Sequence, residues 1–307
     1  MTAGDFPSAR PRRSAPAALL ASLRPEQWTK NLFVFAGLLF GGELEHQSAA
    51  MSAAVAFAVF CGLSGVVYLC NDIADREADR AHPLKRHRPL ASGELSVGAA
   101  TSAAILLAAA SLAGAVAISP AFASVAVTYV VLLTLYSWVL KKMVILDVLA
   151  IASGFVLRAV GGAVAVEVPI SQWLIICTTL LALFLALSKR RHELTLLAEG
   201  ASGHRAVLQD YTPYLLDQMI GVVTASTLVT YAFYAFDVET AARLGTTRLG
   251  ITVPFVLYGI FRYLYLVHQK REGGNPSALL ITDRPLLACV ALWGVTVIVL
   301  LYTPLGG

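Results

Sequence analysis

Three aspartates follow an apolar segment that is long enough to cross a lipid bilayer. Asp72, Asp75 and Asp79 come directly after the run Met51–Cys70, within the sequence NDIADREADR at residues 71–80. Their spacing of i, i+3 and i+7 places three carboxylates on one face of a helix with 3.6 residues per turn. Such carboxylates repel one another unless a cation joins them, and Mg²⁺ commonly bridges one or two carboxylates to substrate phosphates. The motif therefore predicts a magnesium site at the membrane–water boundary.

A basic run lies close behind the aspartates. Lys85, Arg86 and Arg88 stand in the sequence KRHRPLASG, and Asn71 adds a polar side chain at the start of the acidic motif. Basic residues at this position also fix membrane topology and bind anionic lipid, and the acids alone are compatible with a solvated helix end. Acids for metal beside bases for phosphate nevertheless favour a diphosphate site.

Two further segments place polar side chains at the ends of apolar runs. Lys30 and Asn31 open the first run, and an asparagine within a span is expected to face the interior of a bundle. Tyr136 and Lys141 lie at the end of a later run, where a lysine also serves as an interfacial anchor and a tyrosine as a belt residue. These four residues are candidates for substrate binding, with anchoring as the alternative.

A second basic cluster, SKRRHE at residues 188–193, ends another apolar run. Lys189, Arg190 and Arg191 cannot all face one way on a helix, so at most two of them reach one ligand. Glu193 lies one turn from Lys189 and Arg190. The cluster is either a topological anchor or a phosphate site, and its place at a span end, like that of the aspartates, favours the phosphate site.

Arg158 differs because it lies well inside an apolar run. An arginine within a membrane span needs a partner or a watery cavity. The available acids are Asp237 and Glu167, so we expect a structural ion pair there rather than a role in the site.

The composition indicates that lipid surrounds these apolar segments. The chain has 307 residues, of which 57% are hydrophobic and 14% are charged, and its mean hydropathy is +0.71. Since backbone groups in lipid must be satisfied internally, the chain is predicted to be an all-α membrane protein with one helical domain at residues 17–307 after a disordered tail at residues 1–16. At the length that a bilayer requires, nine spans are expected: Trp28–Gly42, Met51–Cys70, Gly98–Ile118, Ala121–Leu140, Val144–Val166, Trp173–Leu187, Gln218–Phe236, Ile251–Val267 and Pro285–Thr303.

The positive charges orient these nine spans. Of the 23 lysines and arginines, all but Arg158, Arg243, Arg248 and Arg262 lie in the N-terminal lead-in or in alternate connections. An excess of Lys and Arg marks the cytoplasmic side. The N-terminus is therefore predicted to be cytoplasmic, the C-terminus outside, and the candidate site on the cytoplasmic face.

From Arg24 to the C-terminus the chain resembles the UbiA superfamily of intramembrane prenyltransferases, which are bundles of nine helices. The resemblance is carried by the motif NDxxDxxxD at residues 71–79. It implies that Asn71 and the three aspartates bind Mg²⁺ and a diphosphate, and that Asn31 lines the same site.

The sequence departs from the typical family pattern at one motif, and this departure indicates a particular branch of the family. Typical members carry a second aspartate-rich motif after the sixth span, where this chain reads SKRRHE. A basic cluster prefers a phosphate held by side chains over a diphosphate held through metal. With the stretches RPEQWTKN, NDIADREADR, LYSWVLKKMVILDVLAIASGFVLRAVGGA and SKRRHEL, the chain resembles the branch of decaprenyl-phosphate phosphoribosyltransferases. The resemblance implies 5-phosphoribosyl-1-diphosphate as donor, a polyprenyl phosphate as acceptor, pyrophosphate release, a bacterial cytoplasmic membrane and a role in cell-envelope arabinan precursors.

Two alternatives stay open at this point. Prenyl transfer from a prenyl diphosphate to an aromatic acceptor needs a second acidic metal site, which the sequence lacks. A lipid-binding or transport protein would show paired repeats and midplane charges, whereas the polar groups here gather at one face. No feature indicates a nucleic-acid partner, and small residues on the long helices permit a homo-oligomer.

Overall fold

The computed structural model describes residues 13–82, 85–198, 206–270, 273–274 and 276–303, and every regular element in these ranges is a helix. The first twelve residues of the predicted tail lie outside the described residues, and the first helix begins at Ala15. The α-helices are α1 Ala15–Ser22, α2 Phe35–Phe40, α3 Gln47–Ala74, α4 Arg76–Ala81, α5 Pro89–Ser92, α6 Val97–Ile118, α7 Pro120–Trp138, α8 Leu146–Ala165, α9 Gln172–Ala198, α10 Pro213–Phe236, α11 Val238–Leu244, α12 Val253–His268, α13 Pro276–Thr282 and α14 Arg284–Tyr302. The 3₁₀ segments are Pro25–Val34, Lys85–His87, Leu140–Lys142, Ala206–Asp210 and Leu249–Thr252.

Eight elements of the described chain are long and apolar enough to cross a bilayer: α3, α6, α7, α8, α9, α10, α14, and α12 with its preceding 3₁₀ turn. They correspond to the second to ninth predicted spans and establish a multi-pass membrane protein. The first predicted span, Trp28–Gly42, is instead divided between the 3₁₀ segment Pro25–Val34 and the short helix α2. The polar residues from Glu26 to Asn31 interrupt its apolar pattern, which separates it from the other eight.

Helices α3 and α8 form the centre of the bundle. In their most apolar stretches, 56% and 61% of the residues are buried, against 33% or less in the other six spans. Helix α8 contacts α2, α3, α7, α9 and the segment Pro25–Val34. A methyl group added at Gly162 would lie 1.8 Å from the carbonyl oxygen of Val34, and one at Gly37 would lie 2.6 Å from the Cα of Ala163. Small residues therefore let the first segment pack backbone to backbone against α8.

A buried ion network joins α8 to α9. The guanidinium of Arg190 is fully buried, and it donates to Asp147 Oδ2 and to Glu193 Oε2, both at 2.7 Å, and to the Tyr136 hydroxyl at 3.4 Å. The Tyr211 hydroxyl donates to Asp147 Oδ1 at 2.8 Å. Burial raises the pKa of Tyr211, so this hydroxyl keeps its proton and stays a donor. The buried carboxylate of Asp147 is thereby satisfied on both oxygens.

The same tyrosine stabilises the turn that precedes α8. Ile145 has a φ of +68° and a ψ of −47°, an unfavourable conformation for a β-branched residue. Its amide donates to the Tyr211 hydroxyl at 2.8 Å. A residue that follows α9 therefore holds the first turn of α8 in place.

The contact at Gly162 generates a stability prediction. Gly162→Ala should lower the thermal midpoint in detergent, because the new methyl group collides with the Val34 carbonyl and overpacking costs about 1–3 kcal/mol. Gly221→Ala on α10 is the matched control, since nothing lies within 4 Å of the added methyl group. An equal thermal midpoint for the two variants would contradict the close approach.

The ion network generates a second prediction. Arg190→Met leaves the carboxylate of Asp147 buried without its charge partner, which should cost about 3–5 kcal/mol in thermal unfolding. Arg191→Met is the control, because its partner Asp217 is 38% exposed and a surface pair contributes at most about 1 kcal/mol. Equal losses in both variants would show that the Arg190 network does not hold α8 to α9.

Candidate active site

A cavity of about 1700 Å³ lies inside the bundle. Its wall comes mainly from the segment Pro25–Val34 and from α2, α3, α7, α8, α9, α10, α12 and α14, and most of it is aromatic or aliphatic. Among the described residues in this wall, Glu26 supplies a carboxylate. The basic side chains in the same wall are Arg13, Arg24, Lys30, Arg88, Arg158, Lys189 and Arg243. This excess of positive charge suits ligands that carry several negative charges.

The aspartate motif lies beside this cavity, and a helix break divides it. Helix α3 ends at Ala74, Asp75 has a φ of −91° and a ψ of 5°, and α4 begins one residue later. Asp72 and Asp79 are buried, whereas Asp75 is exposed. The prediction of three carboxylates on one face assumed an unbroken helix, and the break turns the middle one outward.

Arg88 brings the two buried carboxylates together. Its NH1 nitrogen donates to Asp79 at 2.7 Å and to Asp72 at 3.2 Å. The NH2 nitrogen of Arg24 donates to Asp72 at 2.6 Å, and the Arg24 guanidinium also lies over the ring of Tyr68. Both arginines line the cavity, while the aspartates lie behind them.

The donor set around the motif fits a divalent cation. No group of three His, Cys, Asp or Glu side chains gathers within metal-binding distance in the part of the chain that the structure describes. However, Asp72 and Asp79 already converge on one cationic group, and the Asp75 carboxylate makes no hydrogen bond or ion pair with a described residue. Because Mg²⁺ usually takes one or two carboxylates together with substrate phosphates and water, these residues can hold it.

Part of the basic run behind the motif lines the cavity. His87 and Arg88 line the cavity, whereas Lys85 and Arg86 are not part of its wall. Two arginines of the acidic segment are structural: Arg76 Nε donates to the Leu90 carbonyl at 3.4 Å, and Arg80 Nε donates to the Ala91 carbonyl at 3.2 Å. They hold α5 against α4 and so position Arg88, which precedes α5.

The second basic cluster points in three directions, as helix geometry requires. Lys189 lines the cavity, Arg190 belongs to the buried network, and Arg191 donates to Asp217 at 2.9 Å. Glu193 accepts from Arg190 and is not in the cavity wall. The guanidinium of Arg190 is enclosed by Asp147, Glu193 and Tyr136 and does not line the cavity, so its contact with a ligand stays a prediction.

The remaining predicted residues lie at different distances from the cavity. Asn71 and Tyr136 line it, and the Asn71 amide donates to the Ser137 hydroxyl at 3.1 Å. Lys30 lines it as well, whereas Lys141 lies in the 3₁₀ turn after α7, outside the wall. Asn31 is buried behind the wall and donates to Cys61 Sγ at 3.2 Å.

The expected ion pair of Arg158 is absent among the described residues. Arg158 Nε donates to Asn31 Oδ1 at 2.6 Å, NH1 to the Gly154 carbonyl at 2.8 Å and NH2 to the Tyr129 hydroxyl at 2.5 Å. Asp237 instead caps α11 through Thr240. Of these neutral groups, Asn31 reaches Arg158 because the first segment packs closely on α8, whereas Gly154 lies on α8 itself and Tyr129 on α7.

The sequence analysis did not predict that Arg24 and Arg158 line the cavity. Arg24 has a left-handed conformation (φ 54°, ψ 64°) that directs its side chain to Asp72, and no local pattern announces that conformation. Its position before Pro25, in a lead-in that faces the aspartates, was the available signal. Arg158 was assigned to an ion pair because Asn31 was not recognised as its partner across 127 residues of sequence.

Comparison with known proteins adds to this geometry. The model of the UbiA prenyltransferase family matches residues 31–282. The chain is 34% identical over 298 residues to a decaprenyl-phosphate phosphoribosyltransferase from Mycolicibacterium smegmatis, covering 94% of this chain and 93% of that protein. It is 32% identical over 303 residues to the protein of the same name from Corynebacterium glutamicum, covering 97% and 91%.

A solved structure shares the fold. The chain aligns with a UbiA homologue from Archaeoglobus fulgidus, bound to GPP and Mg²⁺, at a TM-score of 0.69 and 20% identity over 92% of this chain and 99% of that one. The helical architecture, the motif at residues 71–79 and the family match over most of the sequence agree with one another. The chain belongs to the UbiA prenyltransferase family.

Proposed function

We propose that this protein transfers the 5-phosphoribosyl group of 5-phosphoribosyl-1-diphosphate to a polyprenyl phosphate, such as decaprenyl phosphate, and releases pyrophosphate. The observation that carries the proposal is the charge of the cavity wall, where the described residues supply seven basic side chains and one carboxylate. Both substrates are phosphorylated, so they match this wall. The relatives that bear the corresponding name extend over nearly the whole chain.

The donor diphosphate is assigned to the end of the cavity beside the aspartates. Arg24, Arg88 and Asn71 line the wall there, and the two guanidinium groups offer forked donors to phosphate oxygens. Asp72, Asp75 and Asp79 are the proposed ligands of Mg²⁺ behind them. When bound, this ion neutralises the negative charge that builds up on departing pyrophosphate.

The acceptor needs little activation by the protein. A phosphate monoester is already an anion at pH 7, so its oxygen can attack the ribose C1 without a strong general base. Attack opposite the pyrophosphate inverts the anomeric centre and gives a β-linked phosphoribosyl lipid. The contribution of the chain is therefore to neutralise, orient and exclude water around two anions that would otherwise repel each other.

The proposal includes a ninth crossing and an orientation. The segment Pro25–Phe40 has ten 3₁₀ and six α-helical residues, so at rises of about 2.0 and 1.5 Å per residue it extends about 29 Å, close to the hydrocarbon thickness. Nine crossings put the N-terminus and the basic connections on the cytoplasmic side of a bacterial inner membrane. The donor then enters from the cytoplasm, and the product serves synthesis of cell-envelope arabinan.

An assay with purified protein tests the proposed function. Protein in detergent with Mg²⁺, labelled 5-phosphoribosyl-1-diphosphate and polyprenyl phosphate should yield a labelled lipid and pyrophosphate, and a chelator should abolish both. A matched reaction with a prenyl diphosphate and an aromatic acid should give no product. Prenylation of the aromatic acid, without labelled phosphoribosyl lipid, would overturn the proposal.

Substitution of the aspartates tests the metal assignment. Asp72→Asn and Asp75→Asn should each reduce turnover on the order of a hundredfold or more, because each removes a negative charge from the cation site. Glu77→Gln is the control, since Glu77 belongs to the same segment but is 76% exposed and pairs with Arg80. Full activity of Asp75→Asn would remove that residue from the site, and full activity of Asp72→Asn would remove the site itself.

A further inference from the structure

Arg158 carries a positive charge into the membrane interior, and no described residue provides a counter-ion for it. It lies on α8, is 6% exposed and lines the cavity. Its hydrogen-bond acceptors are a side-chain amide, a carbonyl and a hydroxyl, all of them neutral. Within the described ranges, no carboxylate lies within 4.0 Å of its guanidinium. Because arginine stays protonated in proteins, this charge is permanent and costly unless an anion joins it.

The surroundings fix this guanidinium in one orientation. It lies over the ring of Tyr129 and beside that of Phe155, at 4.7 and 5.2 Å from the ring centres. The three hydrogen bonds use one N–H on each nitrogen, so NH1 and NH2 each keep a second N–H. A rigid fork with two remaining donors at the wall of a cavity is suited to bind two oxygens of one phosphate.

Lys30 adds a second basic side chain to the same cavity wall. It precedes Asn31, the partner of Arg158, and lines the same cavity. The Lys30 side chain makes no hydrogen bond or ion pair with any described residue. In contrast, Arg24 and Arg88 bind the buried aspartates, and Arg190 binds Asp147 and Glu193.

We propose that Lys30 and Arg158 form the subsite for the phosphate of the acceptor lipid. This assignment rests on the proposed function. The donor is water-soluble and reaches the polar end near Arg88, whereas Arg158 lies inside a span. The cavity wall continues from Arg158 into apolar side chains that can accommodate a polyprenyl tail, among them Phe33, Phe155, Leu181, Phe184 and Ile260. A lipid whose phosphate binds at Arg158 thus places its tail in apolar surroundings and its reactive oxygen toward the donor.

Substitutions at the two positions test the subsite. Arg158→Gln and Lys30→Met should each raise the KM for polyprenyl phosphate about tenfold to a hundredfold, the usual effect of losing a hydrogen bond to a charged group. The KM for 5-phosphoribosyl-1-diphosphate should stay within about twofold. Arg158→Lys, which keeps the charge but not the fork, should recover part of the loss. Lys30→Met keeps the test valid if Arg158→Gln fails to fold, because Lys30 makes no described hydrogen bond.

The control is another arginine within a span. Arg262 on α12 binds Asp283 through two hydrogen bonds, at 3.1 and 2.8 Å, and is not in the cavity wall. Arg262→Gln should lower stability and leave both KM values unchanged. A purely structural role for Arg158 would make Arg158→Gln behave like Arg262→Gln, and that result would overturn the subsite.

A binding measurement without turnover separates this inference from the proposed function. In thermal unfolding, polyprenyl phosphate alone and the Mg²⁺–donor mixture alone should each raise the midpoint of the wild-type protein. Arg158→Gln should abolish the shift caused by the lipid and keep the shift caused by the donor. Loss of the donor shift instead would assign the subsite to the ribose 5-phosphate. A lipid shift that depends on Arg158 in a protein without transferase activity would support the subsite and refute the proposed reaction.

Discussion

Compensation of buried charge is the constraint on which this structure depends. Each buried carboxylate of the two polar networks meets a guanidinium: Asp72 and Asp79 meet Arg88, and Asp147 meets Arg190. Ions of this kind are stable in a low-dielectric interior only when they are paired and their remaining hydrogen bonds are satisfied. The pairs therefore determine how the ends of α3 and α9 approach the rest of the bundle. Arg158 departs from the pattern, which is why it draws attention as a binding group.

Close backbone packing is what brings these charges to a common cavity. Glycine at position 162 lets the carbonyl of Val34 reach α8, and the same contact sets Asn31 against Arg158 and Lys30 in the cavity wall. A larger residue at that point would displace the whole first segment. The polar chemistry at one side of the cavity and the apolar room at the other thus depend on small side chains that make no chemical contribution of their own.

Features of this protein that repeat along the chain or add up over many residues could be predicted from the sequence. Apolar runs predicted the eight described spans, although the span of α9 continues to Leu196 past the predicted end at Leu187, and the motif at residues 71–79 predicted the family. The positions at which a single residue changes the direction of the chain could not be predicted. Helix α3 breaks at Asp75, whose side chain is exposed while those of Asp72 and Asp79 are buried, and the left-handed Arg24 turns toward Asp72. Neither event leaves a pattern in the sequence.

The partners of the arginines could not be predicted from the sequence either. Adjacent residues Lys189, Arg190 and Arg191 read alike in the sequence, yet one lines the cavity, one is enclosed and one meets Asp217 at the surface. Helix periodicity requires that they diverge, but the rotation of α9 about its axis follows from packing against α8 and α10.

The turn at Ile145 bears on how the chain is built during synthesis. Its unfavourable backbone conformation is held by the hydroxyl of Tyr211, which lies 66 residues further along the chain. This hydrogen bond can therefore form only after α9 and the residues up to Tyr211 have been synthesised. The turn that precedes α8 is thus stabilised by a contact that becomes available only after α8 itself has been synthesised.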